Sequence, residues 1–285
     1  MSVTLREGAF AKINLTLAVL GKRPDGYHDI QSVMQTISIR DDVEVEVGTA
    51  KPWTLSCDKE DVPQDSSNLA WKAAEMFCRA AKRDPEGVAI RITKRIPTQA
   101  GLGGGSADCA AALLGLNRMW RLNLPESKLM EIGLRLGADV PYLLRGGFAR
   151  VRGIGDELTP LDGARSVPLV LVRPGGGLST PHVFAEYDRM AQARGEIDIE
   201  GTYRALACGD LHTYDRLSGN ALEAPARKLM PEIGRVMERL RMEGAVAVRM
   251  SGSGSTVFGA FESADAAQKA HEALPGSVLA RTIVQ

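Results

Sequence analysis

Little in this chain points to a metal, a redox couple or a membrane. Its four cysteines, Cys57, Cys78, Cys109 and Cys208, are far apart and form no Cys-x-x-Cys pair. Zinc and dithiol signatures are therefore missing, and the thiols are expected to be buried in a reducing compartment. No run approaches the roughly 18 apolar residues of a membrane span. The N-terminus has no apolar leader-like stretch before Lys12, so a cytoplasmic protein without a membrane partner is expected. Neither sign of charge is in excess: 35 Lys and Arg face 35 Asp and Glu. With no overall field to gather nucleic acid, any anion must be bound locally. Internal repeats and low-complexity tracts are also lacking. With 285 residues, 44% of them hydrophobic, the chain can bury one large core or two ordinary ones.

What the chain does have is a dense glycine loop, PTQAGLGGGSADCAAALL, at residues 97–114. Glycine permits positive φ and close backbone approach, so a run of N–H groups can turn toward one anion. A strand pattern over residues 87–96, with Val88, Ile90 and Ile92 on one face, leads into it. An alanine-rich helix pattern over 107–114 leads out, with Ser106 in the N-cap place, and such a helix start favours phosphate. Two familiar fingerprints do not fit. A dinucleotide-binding turn needs a third glycine where Ser106 stands and a strand after the helix, but residues 127–136 form a second helical pattern. A P-loop needs Lys and then Ser or Thr after the last glycine, where this chain has Ser106, Ala107 and Asp108.

Residues 11–19 alternate in polarity with the period of a strand, placing Lys12 and Asn14 on its polar face. On that pattern alone, a solvated face is the commoner fate of such a lysine. The turn RPDGYH, 23–28, leads to strand patterns over 30–39 and 43–47. Ser66 or Ser67 caps a helix in which Leu69, Ala73 and Phe77 recur every four residues. In GADVP, 137–141, Asp139 is placed to cap a short helix. Short strands over 149–152 and 157–161 precede a boundary that divides residues 1–160 from 161–285. The second half has an α+β pattern: a strand over 168–172, a helix opened by Thr180 as cap and Pro181 as first residue, and helices over 198–207, 225–242 and 264–274. Strands over 246–250 and 256–261 flank SGSGS, 251–255, where a bare hairpin turn is as good a reading as a functional loop.

Taken in order, AKIN (11–14), GLGGGS (101–106) and SGSGS (251–255) resemble the three motifs of the GHMP kinase superfamily and span the chain. RPDGYH, GGGSAD (103–108) and GADVP more closely resemble the branch that acts on CDP-methylerythritol. The resemblance implies a two-lobed α+β fold: an N-terminal βα sandwich lobe bearing the glycine loop and a C-terminal ferredoxin-like lobe, with ATP and substrate meeting in the cleft between them. It implies ATP- and Mg²⁺-dependent phosphorylation of the substrate 2-hydroxyl, in the non-mevalonate route to isoprenoids. Asp139 matches the base that takes the hydroxyl proton. Lys12 matches the lysine that keeps this base ionised and stabilises developing charge. Pro97, Thr98, Gln99, Ala100, Gly101, Leu102, Gly103, Gly104, Gly105, Ser106 and Ala107 match the phosphate-holding segment. Ser106 is a candidate Mg²⁺ ligand, and the rest of the metal shell is unassigned. Asn68 and Leu69 match adenine contacts. Asn14, Tyr27, His28, Thr180 and Phe184 match substrate contacts, the aromatic ones enclosing cytosine. Cys109 stands where alanine is usual. A homoserine or mevalonate kinase would not require Tyr27 and His28, and a catalytically silent ATP sensor would not require both Lys12 and Asp139. The expected partner is a small molecule, and the chain a monomer or weak homodimer.

Overall fold

Two strands of 20 residues open the chain, β1 (Val3–Lys22) and β2 (His28–Val47), and they pair with each other. The computed structural model describes residues 3–48, 53–84, 87–190 and 197–284. The polar Arg40, Asp41 and Asp42 that separate the two expected runs of β2 do not break it. Asp41 is fully buried, and its Oδ1 accepts the N–H groups of Arg95 and Ile96 at 2.5 and 2.7 Å. Two compact units form, neither of them a continuous segment. The first comprises Met1–Ala11, Ile39–Thr98 and Gly103–Gly146; the second comprises Lys12–Ser38, Gln99–Leu102 and Gly147–Gln285. Since β1 and β2 contribute to both, compactness does not follow a single cut such as 160/161.

In the first unit, β3 (Thr54–Cys57) runs parallel to β4 (Ala89–Thr93), which pairs antiparallel with the later half of β2, Asp42 opposite Thr93. Its four helices, α1 (Leu69–Ala81), α2 (Gly104–Met119), α3 (Glu126–Leu134) and α4 (Val140–Arg145), pack on one another, α1 on α2 and α4 on both α2 and α3. Neither Ser66 nor Ser67 caps α1. Asn68 does, its Oδ1 accepting the N–H of Ala70 at 2.8 Å, while Ser67 Oγ is drawn to Asp65 at 2.7 Å. Nor is Ser106 the cap of α2. The helix begins at Gly104 behind Gly103, whose φ of 74° a residue without a Cβ adopts without strain, and Ser106 falls inside the first turn.

Between β4 and α2 lies a buried charge cluster that the sequence pattern did not reveal. Lys94 Nζ donates to Asp41 Oδ2 at 2.6 Å and to Asp108 Oδ2 at 2.7 Å. Burial, with Asp41 as a second carboxylate nearby, pushes Asp108 up to about 7, while Lys94 opposes the rise. Burial pulls on Lys94 too, but the two carboxylates outweigh it and hold the ammonium above its ordinary value. In the unfolded chain Asp108 should titrate near ~3.9. Its contribution to stability is therefore full below that pH and is lost as pH rises through about 7. Denaturant midpoints from pH 4 to pH 8 should fall more steeply for the wild type than for Asp108→Asn. Parallel curves would show that the carboxyl is ionised throughout.

In the second unit, β5 (Phe148–Gly153) pairs antiparallel with the earlier half of β2, and β6 (Glu157–Pro160) with β5. A separate antiparallel sheet uses β7 (Pro168–Val172), β8 (Ala247–Met250), β9 (Val257–Ala260) and β10 (Val278–Arg281) in the order β10-β7-β9-β8. The helices are α5 (Thr180–Arg189), α6 (Ile199–Cys208), α7 (Leu211–Leu217), α8 (Glu223–Leu229), α9 (Glu232–Met242) and α10 (Ala264–Ala273). Val170, Val183, Leu240, Val248 and Phe261 centre its core. This is the ferredoxin-like α+β arrangement expected for the second half. The single helix expected over 225–242 is instead two, because Pro231 has no N–H to continue α8. Ser179, not Thr180, occupies the cap position of α5. Of the four thiols only Cys78 and Cys109 are buried; Cys208 ends α6 at the surface. Among the described residues no helix is long and apolar enough to cross a membrane.

Candidate active site

Lys12 is not on a solvated face. β1 is buried on both sides from Ala11 to Leu17, and Lys12 itself is 4% exposed. A buried ammonium needs partners, and Lys12 Nζ donates to Asn14 Oδ1 at 2.7 Å. Asn14 Nδ2 donates in turn to Ser32 Oγ at 2.9 Å, and Ser32 Oγ to Thr16 O at 2.6 Å, so a relay orients the lysine's partner. The strand also holds the glycine loop, through Lys12 N–H on Leu102 O at 3.1 Å. SGSGS is a hairpin loop between β8 and β9, but not a bare turn. Ser251 Oγ accepts Asn14 N–H at 3.2 Å and donates to Gly101 O at 2.9 Å. A pocket of about 290 Å³ opens beside it, lined by Gln99, Gly101, Leu178, Ser179, Thr180, Pro181, Ser253 and Gly254. In its wall Thr180 Oγ1 and Ser253 Oγ share a hydrogen bond of 2.7 Å.

The first unit carries the helix start. No side chain caps α2, and its first backbone bond runs from Ala107 N–H to Gly103 O at 2.8 Å, so the N–H groups of Gly104, Gly105 and Ser106 point past the helix end. That is the geometry an anion needs. A Cβ on Gly105 would lie 3.8 Å from Leu69 Cδ1, and one on Gly137 would lie 3.5 Å from Ser106 Oγ. Leu69 and the GADVP segment thus both border this turn. Gly104 faces inward: a Cβ there would stand 3.0 Å from Ile96 Cγ2 and 3.4 Å from Lys94 Nζ. Asp139 occupies the cap position of α4 but its side chain does not cap the helix. Asn68 is committed at both ends, since Nδ2 donates to Pro63 O at 2.7 Å besides the cap bond. Thr98 Oγ1 donates to Asp61 Oδ2 at 2.8 Å.

His28 and Phe184 do not leave a slot between them. Their rings stack at 4.6 Å with 21° between planes, already in contact, and Tyr187 meets His28 edge-on at 6.1 Å. They form a stacked platform in which His28 is buried and Phe184 half-buried, and the neighbouring Tyr27 is 61% exposed. Sequence reasoning missed the group that fixes this platform. Asp188 Oδ1 accepts from His28 Nε2 at 2.7 Å, and Oδ2 pairs with Lys22 Nζ at 2.6 Å. The Lys22 bond first and the His28 bond second hold Asp188 below the usual carboxylate range. The signal was present: Asp188 follows Phe184 by four residues on α5, hence on the same helix face.

The first unit thus carries an uncapped glycine turn feeding a helix, and the second a buried lysine on a strand. The model of the GHMP kinases N terminal domain matches residues 68–147, and that of the GHMP kinases C terminal domain matches 203–279. A 4-diphosphocytidyl-2-C-methyl-D-erythritol kinase of Pelotomaculum thermopropionicum is 43% identical over 251 residues, spanning 88% of this chain and 87% of the relative. A crystal structure of a 4-(cytidine 5'-diphospho)-2C-methyl-D-erythritol kinase superposes with a TM-score of 0.82 at 36% identity, covering 98% of this chain and 99% of that one. The homoserine kinase of Cytophaga hutchinsonii, at 19% identity and a TM-score of 0.75 over 99% of this chain and 95% of its own, shares the fold. The chain belongs to the 4-diphosphocytidyl-2-C-methyl-D-erythritol kinase family. The kinase class implied by the three motifs is thus the class found.

Proposed function

We propose that this enzyme phosphorylates the 2-hydroxyl of 4-diphosphocytidyl-2-C-methyl-D-erythritol with ATP, a step of the non-mevalonate isoprenoid route. The observation that carries the reading is the 43% identity over 88% of the chain to a relative of that name. Bound ATP would supply the γ-phosphoryl group and Mg²⁺ would neutralise its oxygens. The uncapped first turn of α2 and the glycines around it fit a chain of phosphates. Among the described residues no cluster of three or more His, Cys, Asp or Glu side chains could hold a metal. Mg²⁺ would be held by phosphate oxygens, with Ser106, in the first turn of α2, within the site as a protein ligand.

The remaining roles fall to side chains. Asp139 accepts the proton of the 2-hydroxyl as its oxygen bonds to phosphorus and the bond to ADP breaks. Lys12, oriented by Asn14, stabilises the negative charge that develops. Residues 97–107 hold the phosphates. Leu69 flanks adenine, with Asn68 acting through its backbone because its side chain is committed to the cap. The outer face of the His28–Phe184 platform stacks on cytosine, with Tyr27 at its edge, and Thr180 borders the substrate from the 290 Å³ pocket.

Purified protein with ATP and Mg²⁺ should turn over CDP-methylerythritol and leave homoserine and mevalonate untouched; preference for either alternative would overturn the reading. Base stacking contributes about 1–3 kcal/mol. His28→Ala and Phe184→Ala should therefore raise KM for the CDP substrate about ten-fold, with ATP KM nearly unchanged. A selective loss of ATP affinity would mean that the two nucleotide pockets are exchanged.

A further inference from the structure

The Ser251–Ser255 loop lends Ser253 and Gly254 to the pocket that Thr180 borders, and every one of its residues is buried. One side chain sets its course. Asn220, 7% exposed and just ahead of α8, donates through Nδ2 to Met250 O and to Gly252 O, both at 2.8 Å, and its Oδ1 accepts Leu222 N–H at 2.9 Å. The two carbonyls it holds are those on either side of Ser251. Asn220 is itself fastened to β1: Leu17 N–H donates to Gly219 O and Ala221 N–H to Leu17 O, each at 2.8 Å. The same strand carries Lys12 and Asn14. The loop returns to it through Asn14 N–H on Ser251 Oγ at 3.2 Å, and a Cβ on Gly252 would lie 3.4 Å from Asn14 Oδ1 and 3.5 Å from Lys12 Nζ. A closed ring results, from β1 through Asn220 and the loop back to β1, with the Lys12–Asn14 pair against the loop.

We propose that Asn220 is a positioning residue for phosphoryl transfer, fixing the Lys12 ammonium through the Ser251–Ser255 loop. The inference rests on the reading of Lys12 as the charge-stabilising group. Without the carboxamide, both carbonyls lose their donor and the peptides around Ser251 can turn, taking with them the Gly252 backbone that limits where Nζ goes. The strand behind stays in place, because Met250 N–H remains on Glu223 Oε1 at 2.9 Å.

The test is steady-state kinetics of Asn220→Ala in the wild-type and Lys12→Met backgrounds, with near-UV circular dichroism and melting curves to show that each protein is folded at the assay temperature. Asn220→Ala should lower kcat about ten-fold or more while both KM values stay within about three-fold, and should add almost nothing to Lys12→Met. Asn220→Ser keeps one donor; it should lose less and serves if the alanine variant does not fold. An unchanged kcat, or an equal fall in both backgrounds, overturns the proposal, the latter marking Asn220 as merely structural. Near-normal turnover by Lys12→Met would instead sink the Lys12 reading and the proposal with it, a result distinct from either.

Discussion

Asp139→Asn is expected to lower kcat about 10²–10⁴-fold, the range a positioned general base contributes. Lys12→Met should lower it about 10²–10³-fold, as loss of a preorganised charge-stabilising group does. Residues acting on one proton transfer and one developing charge fail together, so the double variant should be little worse than Asp139→Asn alone. ATP affinity, assigned to backbone N–H groups at the start of α2, should survive both changes. Methionine fills the volume of lysine but leaves Asn14 Oδ1, now served by Lys12 Nζ at 2.7 Å, without that donor. A buried acceptor left unpaired costs about 1–3 kcal/mol, so a modest fall in Tm should accompany the kinetic one. Single-turnover rates with saturating ATP read the chemical step directly. Turnover within a few-fold of wild type for Asp139→Asn would remove it from the mechanism.

Gly101→Ala is expected to disrupt the loop outright. Gly101 has φ +75°, and a Cβ there would overlap the carbonyl oxygen of Ser251 and stand 3.0 Å from Gly254 O. Left-handed backbone costs a non-glycine residue about 1–2 kcal/mol. Overpacking adds about 1–3 kcal/mol, and here the obstacle is main chain held by its own hydrogen bonds, not a side chain that swings away. Together these are large against a total stability of about 5–15 kcal/mol. Urea midpoint and ATP binding should both drop. Gly105→Ala is the informative contrast, since its nearest atom would be Leu69 Cδ1 at 3.8 Å. That variant should fold normally, and any loss of ATP binding would then arise on the ligand side. A Gly101→Ala protein with native stability would mean that the close approach to Ser251 is dispensable.

The parts of this fold that the sequence makes legible are those where local pattern and tertiary burial agree. The alternation around Lys12 fixes a strand, and the glycine run followed by alanines fixes a loop and a helix. Helix starts are less legible, because several residues compete for each cap. Ser66, Ser67 and Asn68 are all good N-caps, and Asp65 decides among them by engaging Ser67. Gly103 displaces Ser106 because a left-handed glycine starts a helix without a capping side chain. Least legible are groups whose partners lie far off in the chain. Nothing near Lys94 announces Asp41 or Asp108, and nothing near Asn220 announces the carbonyls of Met250 and Gly252. The short α7 and β10 have too few residues for a period to show.

The two long opening strands impose an order on how the chain is made. Each gives one half to either unit, so the first unit has all its segments once Gly146 has left the ribosome, while the second waits for the end of the chain. Lys12–Ser38 emerge early, but the strands and helices that cover them in the second unit begin only at Gly147. Until then the Lys12–Ser38 halves of β1 and β2 have chiefly each other, a nascent ribbon with an apolar face and open edges of the kind that invites wrong neighbours. The same continuity that lets one strand carry Lys12 at its centre makes the newborn protein dependent on the residues from Gly147 onward for shelter.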